Sequence, residues 1–140
     1  MSLRVLFDTN VVLDVLLARE PFRADAEALF RAAERGQITG LLCATALTTV
    51  DYIVGRARGP AVARDAVRAL LSVFDVAAVG HSELSRAAAS GFSDFEDGVV
   101  HEAAVGAGAG VIVTRNLRDF AGATVDVASP EAVLRLLDVA

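Results

Sequence analysis

Arg4-Val5-Leu6-Phe7-Asp8-Thr9-Asn10 is the stretch from which the fold can be read. Apolar residues run unbroken through Val5, Leu6 and Phe7, then stop at a carboxylate, a hydroxyl and an amide. A short continuous apolar run is the pattern of a strand buried on both faces, as in a parallel sheet. Beyond Asn10, Val11, Val12, Val15 and Leu16 recur at helical spacing, so a helix follows at once. Asp8 thereby falls at the carboxyl end of a central strand, in the strand-to-helix turn where open α/β sheets bind ligands.

Reading outward, the first helix is expected over Asn10 to Ala18, broken by Arg19-Glu20-Pro21. A second follows, with Pro21 in its first turn, Ala26, Leu29, Phe30 and Ala33 on its apolar face and Gly36 near its end. Leu41 to Ala44 reads as a strand leading through Thr45 into a helix that carries Asp51. Gly59-Pro60 marks a turn before another amphipathic helix from Ala61 to Ser72, and Val73 to Val79 is a third strand candidate interrupted by Asp75. His81 to Ser90 is a short helix, and Ser93-Asp94-Phe95-Glu96-Asp97 opens a helix running to about Ala107. The glycines at 106, 108 and 110 precede a strand instead of following one, so they read as a helix stop and not as a phosphate loop. Gly110 to Thr114 is the clearest strand after the first, Arg115 to Gly122 is a loop, and Thr124 to Val127 is a last short strand. Ser129-Pro130 caps a closing helix through Leu137. Strands alternating with helices imply parallel pairing in a three-layer α/β/α sandwich, expected here as one domain over residues 1–140.

The bulk numbers narrow the function. The chain is 54% hydrophobic over 140 residues, yet no apolar run reaches the ~18 residues of a membrane span. Charges at Arg4, Asp8 and Asp14 interrupt the early apolar stretch, so no signal peptide is read. The single cysteine, Cys43, excludes an intrachain disulfide and suits a reducing cytosol. A soluble cytoplasmic protein without a membrane partner is expected. Net charge is −5 and every basic residue is arginine. This balance argues against broad electrostatic binding of nucleic acid, though not against a small acidic metal site that handles phosphates, and it favours a basic protein partner.

The acids worth weighing are Asp8, Asp51, the pair Asp94/Asp97, and Asp119. Strand ends and helix starts share one rim of a doubly wound sheet, so Asp8, Asp97 and Asp119 can converge there. Asp51 can join if its helix begins at that rim. Clustered carboxylates repel one another and retain protons; a hard divalent ion with oxygen ligands removes that conflict, and Mg²⁺ or Mn²⁺ is the natural choice. Carboxylates around such an ion point to phosphoester hydrolysis. The polar tips of Thr9, Asn10, Thr114 and Asn116 are candidate supports that orient an acid or hold water, or alternatively local caps and turns.

Three segments, Leu6-Phe7-Asp8-Thr9-Asn10, Asp94-Phe95-Glu96-Asp97 and Val113-Thr114-Arg115-Asn116-Leu117-Arg118-Asp119-Phe120, resemble the motifs of PIN-domain proteins in order and spacing. The resemblance implies a metal-dependent ribonuclease, most often a VapC-like toxin neutralised by a small antitoxin. By position, Asp8, Asp97 and Asp119 match the family's metal-binding acids, and Asp51 falls where many members carry a glutamate.

Each residue also has a structural reading. Asp8 can cap its helix, Asp97 can complement a helix dipole, and Asp119 can be a loop acid. Ser93 and Glu96 have capping-box spacing, which makes Glu96 structural. His101 reads as a supporting helix residue and not as a ligand, and Cys43 and Tyr52 read as core. Arg115 and Arg118 are candidate contacts to an RNA backbone. Arg56, Arg58, Arg64 and Arg68 read as the wet side of two helices. The apolar faces of the first two helices suggest a homodimer or antitoxin contact. Two other functions compete. A haloacid-dehalogenase-like phosphatase needs an acid two residues after Asp8, where Asn10 stands, and a lysine the chain lacks. A catalytically silent PIN-like module would only bind a protein partner.

Overall fold

The computed structural model describes residues 2–139. Strand β1 (Leu3–Phe7) leads into α1 (Thr9–Leu16) and α2 (Arg23–Glu34). Next come β2 (Ile38–Cys43), the helical pair α3 (Ala44–Arg58) and α4 (Pro60–Val73), β3 (Asp75–Ala77) and α5 (His81–Ala89). Helix α6 (Phe95–Gly106), β4 (Val111–Val113), a 3₁₀ turn at Leu117–Phe120, β5 (Asp126–Ala128) and α7 (Pro130–Val139) complete the order. The sheet runs β3-β2-β1-β4-β5 and every pairing is parallel. This is the three-layer architecture expected from the alternation of strands and helices.

Alternation along β1 builds the layers, because successive strand residues point to opposite faces. Val5 and Phe7 join one core with α1, α2, α3, α4 and α7. Leu6 joins the other with Ala87 of α5 and Val99, Val100, Ala103 and Ala104 of α6. In the first core the rings of Phe7, Phe30 and Phe74 meet edge to face at centroid separations of 4.9 to 5.8 Å. Gly40 makes room for this cluster: a Cβ there would stand 2.6 Å from the Phe74 ring.

Several expected boundaries move for local reasons. Pro21 precedes α2 instead of lying in its first turn, since the helix begins at Arg23. Val73 closes α4 and does not open β3, which is only three residues long. The loop after β4 contains the 3₁₀ turn. Tyr52 is not core: it is 62% exposed, and Arg56 lies over its ring and donates to its hydroxyl at 3.1 Å. The wide apolar faces of α1 and α2 are used inside the molecule, where Val11, Val12, Leu13, Ala26 and Leu29 are fully buried, so they no longer argue for an intermolecular contact. Among the described residues no helix is long and apolar enough to cross a membrane.

The topology fixes where a site can form. From β1 the chain winds outward through β2 to β3, then returns to place β4 on the other side of β1. The strand order therefore reverses between β1 and β4, and the crevice beyond their carboxyl ends is where such sheets bind ligands. Asp8 follows β1 and Thr114 follows β4.

Candidate active site

Asp8 is held at this switch point by bonds from both neighbouring segments. Its amide donates to the Val113 carbonyl at 2.9 Å, extending the β1–β4 pairing by one residue. Its Oδ1 accepts from the Thr9 amide at 2.9 Å, which caps α1, and its Oδ2 accepts from the Thr114 hydroxyl at 2.8 Å. Thr114 is fully buried, and its oxygen in turn accepts from the Asn116 amide at 3.0 Å. Of the polar supports expected beside Asp8, Thr9 and Asn116 thus act through backbone amides and Thr114 through its side chain. Burial raises the Asp8 carboxyl above its ordinary value, the bonds from Thr114 and Thr9 oppose the rise, and the Asp119 carboxylate adds to it.

The other acids arrive from α6 and the 3₁₀ turn. Asp94 is the N-cap of α6 and accepts from the Asp97 amide at 3.1 Å. The cap is therefore Asp94 and not Ser93, so Glu96 has no box to complete and lines the cleft. Asp97, in the first helical turn, has its carboxyl pushed up to about 6, by burial first and then by Asp94, Asp119, Asp8 and Glu96. Asp119 stands exposed in the 3₁₀ turn.

Asp8, Asp94, Glu96, Asp97 and Asp119 share one cleft of about 220 Å³, with Thr9 and Asn10 on its β1 side. No arginine lines it. Side chains more than a hundred residues apart in the chain thus meet at one rim. Among the described residues no three Asp, Glu, His or Cys side chains are gathered tightly enough to enclose an ion. The donor set fits a hard divalent cation nonetheless: it is all oxygen and open to solvent. Mg²⁺ typically binds through one or two carboxylates and keeps several waters.

Asp51 is not brought to this cleft. Position 49 of α3 faces it, and a helix turns by about 100° per residue, which carries position 51 to the far side. There Asp51 meets Arg64 Nε at 3.4 Å and lines a separate hollow between α3 and α4. Arg115 also departs from expectation. Its Nε and Nη2 donate to the two carboxylate oxygens of Asp14, at 2.7 and 3.2 Å, and its guanidinium lies 3.9 Å from the Phe22 ring centroid. That arginine is engaged inside the protein, whereas Arg118 is exposed and makes no ion pair among the described residues. Arg64 and Arg68 pair with Asp51 and Asp65 on the wet faces of their helices.

Two buried residues support these elements: Asp14, which the sequence did not single out, and His101, expected as a supporting helix residue. Asp14 is fully buried; the signal available in the sequence was a carboxylate inside the apolar run Val11 to Leu16. His101 is buried and joins α6 to the loop after Asp119. Its Nε2 accepts from the Thr124 amide at 3.0 Å, which leaves Nδ1 to donate to Glu102 at 3.0 Å, and its ring packs on Phe92.

A family model described as PIN domain matches residues 4–118, and this span contains β1 with Asp8 and α6 with Asp97. No curated protein sequence matches the chain significantly. Among solved structures, a toxin–antitoxin complex from Klebsiella pneumoniae is similar at a TM-score of 0.68 and 21% identity, covering 90% of this chain and 97% of that one. DNA-bound VapBC from Salmonella typhimurium is similar at 0.68 and 17% identity, covering 91% and 98%. VapC20 of Mycobacterium tuberculosis, described as a sarcin-ricin loop cleaving toxin, is similar at 0.63 and 15% identity, covering 77% and 86%. At these identities the neighbours show the fold, whereas the sequence match spans most of the chain. With β1, the reversal of strand order and the acid-lined rim all in place, this chain belongs to the PIN-domain family.

Proposed function

We propose that this protein is a divalent-metal-dependent endoribonuclease that acts as one domain in the cytoplasm and serves as the toxin of a toxin–antitoxin pair. The observation that carries the reading is the convergence of five carboxylates in one cleft whose lining includes no basic residue, with the Asp97 carboxyl pushed up to about 6. Such a cluster is electrostatically incomplete and calls for a cation. Asp8, Asp97 and Asp119 would hold it. Mg²⁺ or Mn²⁺, when bound, supplies Lewis acidity toward a phosphodiester oxygen and charge for the leaving group. The Thr114 hydroxyl and Thr9 amide keep the Asp8 carboxylate turned to the cleft. Asp94 orders the turn that presents Asp97, and Arg118, exposed and next to Asp119 in the chain, is available to a phosphate.

The similar folds of VapC20 and the toxin–antitoxin complexes support RNA as substrate and a small protein as partner. Net charge −5 and the acidic cleft suit a basic antitoxin segment. A homodimer is part of the proposal, with its contact lying outside the buried faces of α1 and α2. A second reading, a non-catalytic PIN-like module that binds a protein, is favoured by one observation: Asp51 faces away and leaves the cleft without an acid from α3.

Purified protein should cleave single-stranded RNA with Mg²⁺ or Mn²⁺, stop with EDTA, and recover when metal is restored. Wild-type cleavage rates in Asp8→Asn and Asp97→Asn would reject the assignment. RNA left intact by a protein that binds a basic partner peptide would favour the second reading.

A further inference from the structure

Asp14 poses a question the cleft does not answer. It follows the buried Val11, Val12 and Leu13 in α1, a helix enclosed on most sides at this turn, and it has no exposed surface. A buried carboxylate is costly even when paired, and apolar replacements are often as stable. Its partner sits 101 residues away, in the turn after β4.

The two residues close a ring. Asp8 immediately precedes α1, whose turns fix Asp14 relative to it. Asp14 grips Arg115 with both carboxylate oxygens, a bidentate arrangement that sets the direction of the guanidinium as well as its distance. Phe22 stacks on the guanidinium face and blocks the swing that would release it. Arg115 is bonded in the chain to Thr114, whose hydroxyl returns to Asp8 Oδ2. A hydroxyl has one proton, and here it goes to Asp8 while the same oxygen accepts from the Asn116 amide. Rotating the turn by a few tens of degrees would lose both bonds. Two side-chain joints, Asp14–Arg115 and Thr114–Asp8, close the ring across the switch point, beside the backbone bond from the Asp8 amide to the Val113 carbonyl.

We infer that Asp14, acting through Arg115, is a positioning residue that aims the Asp8 carboxylate into the cleft and thereby sets the affinity of the rim for a divalent ion. The effect on RNA cleavage rests on the nuclease reading; the orientation of Asp8 does not. Arg19 provides the control. It also faces Asp14, at 3.8 Å, but it is not part of the turn.

The test compares wild type with Asp14→Asn, Arg115→Gln, the double variant and Arg19→Gln. Amide hydrogen exchange is followed by NMR in the metal-free state, and Mn²⁺ affinity by calorimetry. The Thr9 and Asn116 amides report Asp8 Oδ1 and Thr114 Oγ1 respectively. Both should exchange faster in the two single variants, with no further increase in the double variant, because the pair acts as a unit. Mn²⁺ binding should weaken about tenfold, the lower end of what is lost with a residue that orients a ligand. Arg19→Gln should match wild type in both readouts. The double variant, which removes both charges together, keeps the test open should a single variant fail to fold. Wild-type exchange at Thr9 and Asn116 in a folded variant overturns the inference, as does undiminished Mn²⁺ affinity. If wild type binds Mn²⁺ but leaves RNA intact, the nuclease reading fails and the ring is still decided by these two measurements.

Discussion

The two sides of the cleft are built on opposite terms. On the β1–β4 side, Asp8 sits in a closed set of bonds from Thr9, Thr114 and, through Thr114, Asn116. On the α6 side, Asp94, Glu96, Asp97 and Asp119 are solvated or half-buried acids, the other three of which raise the proton affinity of Asp97, with a single capping bond among them. One side is preorganised and satisfied by the protein. The other is left unsatisfied, and the energy of that repulsion is available to whatever cation enters. A cage with every ligand locked would need no such asymmetry. An open site that takes substrate oxygens along with an ion does.

Removing an acid from either side should have the largest effect. Asp8→Asn and Asp97→Asn should each lower RNA cleavage by roughly 100-fold or more, at the top of the range seen when residues that merely orient a ligand are lost. Retained far-UV circular dichroism would show that the fold survives. A loss confined to Asp8 would mean that the α6 acids are surface charge.

Next comes the joint on the satisfied side. Thr114→Val keeps the shape but removes the hydroxyl, leaving the half-buried Asp8 carboxylate without its donor and the Asn116 amide without its acceptor, at a cost of about 1–3 kcal/mol. The Asp8 carboxyl, already raised by burial, should rise further because a bond that lowers it is gone. Denaturant melts and an NMR titration of Asp8 would check the two effects.

The unsatisfied side should show itself as a pH dependence of the metal-free protein. Asp97 titrates near 6 in the folded chain and at its ordinary 3.8 in the unfolded one. Between these values the folded state holds a proton that the unfolded state has released. Its contribution is therefore present below about pH 4 and lost as pH rises through about 6. Asp8 acts in the same sense. Melting temperatures in EDTA should fall across this interval, and Asp97→Asn should flatten the fall. A melting temperature that climbs with pH there and stays unaffected by Asp97→Asn would contradict the electrostatics described above.

The smallest effect is expected from the exposed arginine next to Asp119 in the chain. Arg118→Ala should raise KM a few-fold with little change in kcat, as for one lost phosphate contact in steady-state kinetics. A large fall in kcat instead would move Arg118 into the reacting centre.

What could be read in the chain, and what could not, follows the same division. Asp8 was legible because local sequence fixes it: an apolar run ends, a helical period begins, and the carboxyl end of a central strand follows from both. Asp97 and Asp119 were placed by motif spacing and by the rule that strand ends and helix starts share a rim. Asp51 was misplaced because neighbourhood in sequence leaves the rotation of a helix open, and two positions separate the side that faces the cleft from the side that faces Arg64. Glu96 and Ser93 had the right spacing for a capping box, but the N-cap falls one residue later, at Asp94. Asp14 showed as an acid in an apolar helix, and nothing nearby could name Arg115, 101 residues on. Arg115 was offered to RNA for the same reason, its partner being invisible in one dimension.

The account depends most on the acids of the two sides forming a single divalent-ion site, and Mn²⁺ titration by calorimetry near pH 6, in two buffers of different ionisation enthalpy, tests this directly. The prediction is saturable binding with release of protons, as the ion displaces that held on Asp97, and loss of both the binding and the proton release in Asp8→Asn and in Asp97→Asn. Binding without proton release, or binding indifferent to either substitution, would contradict it.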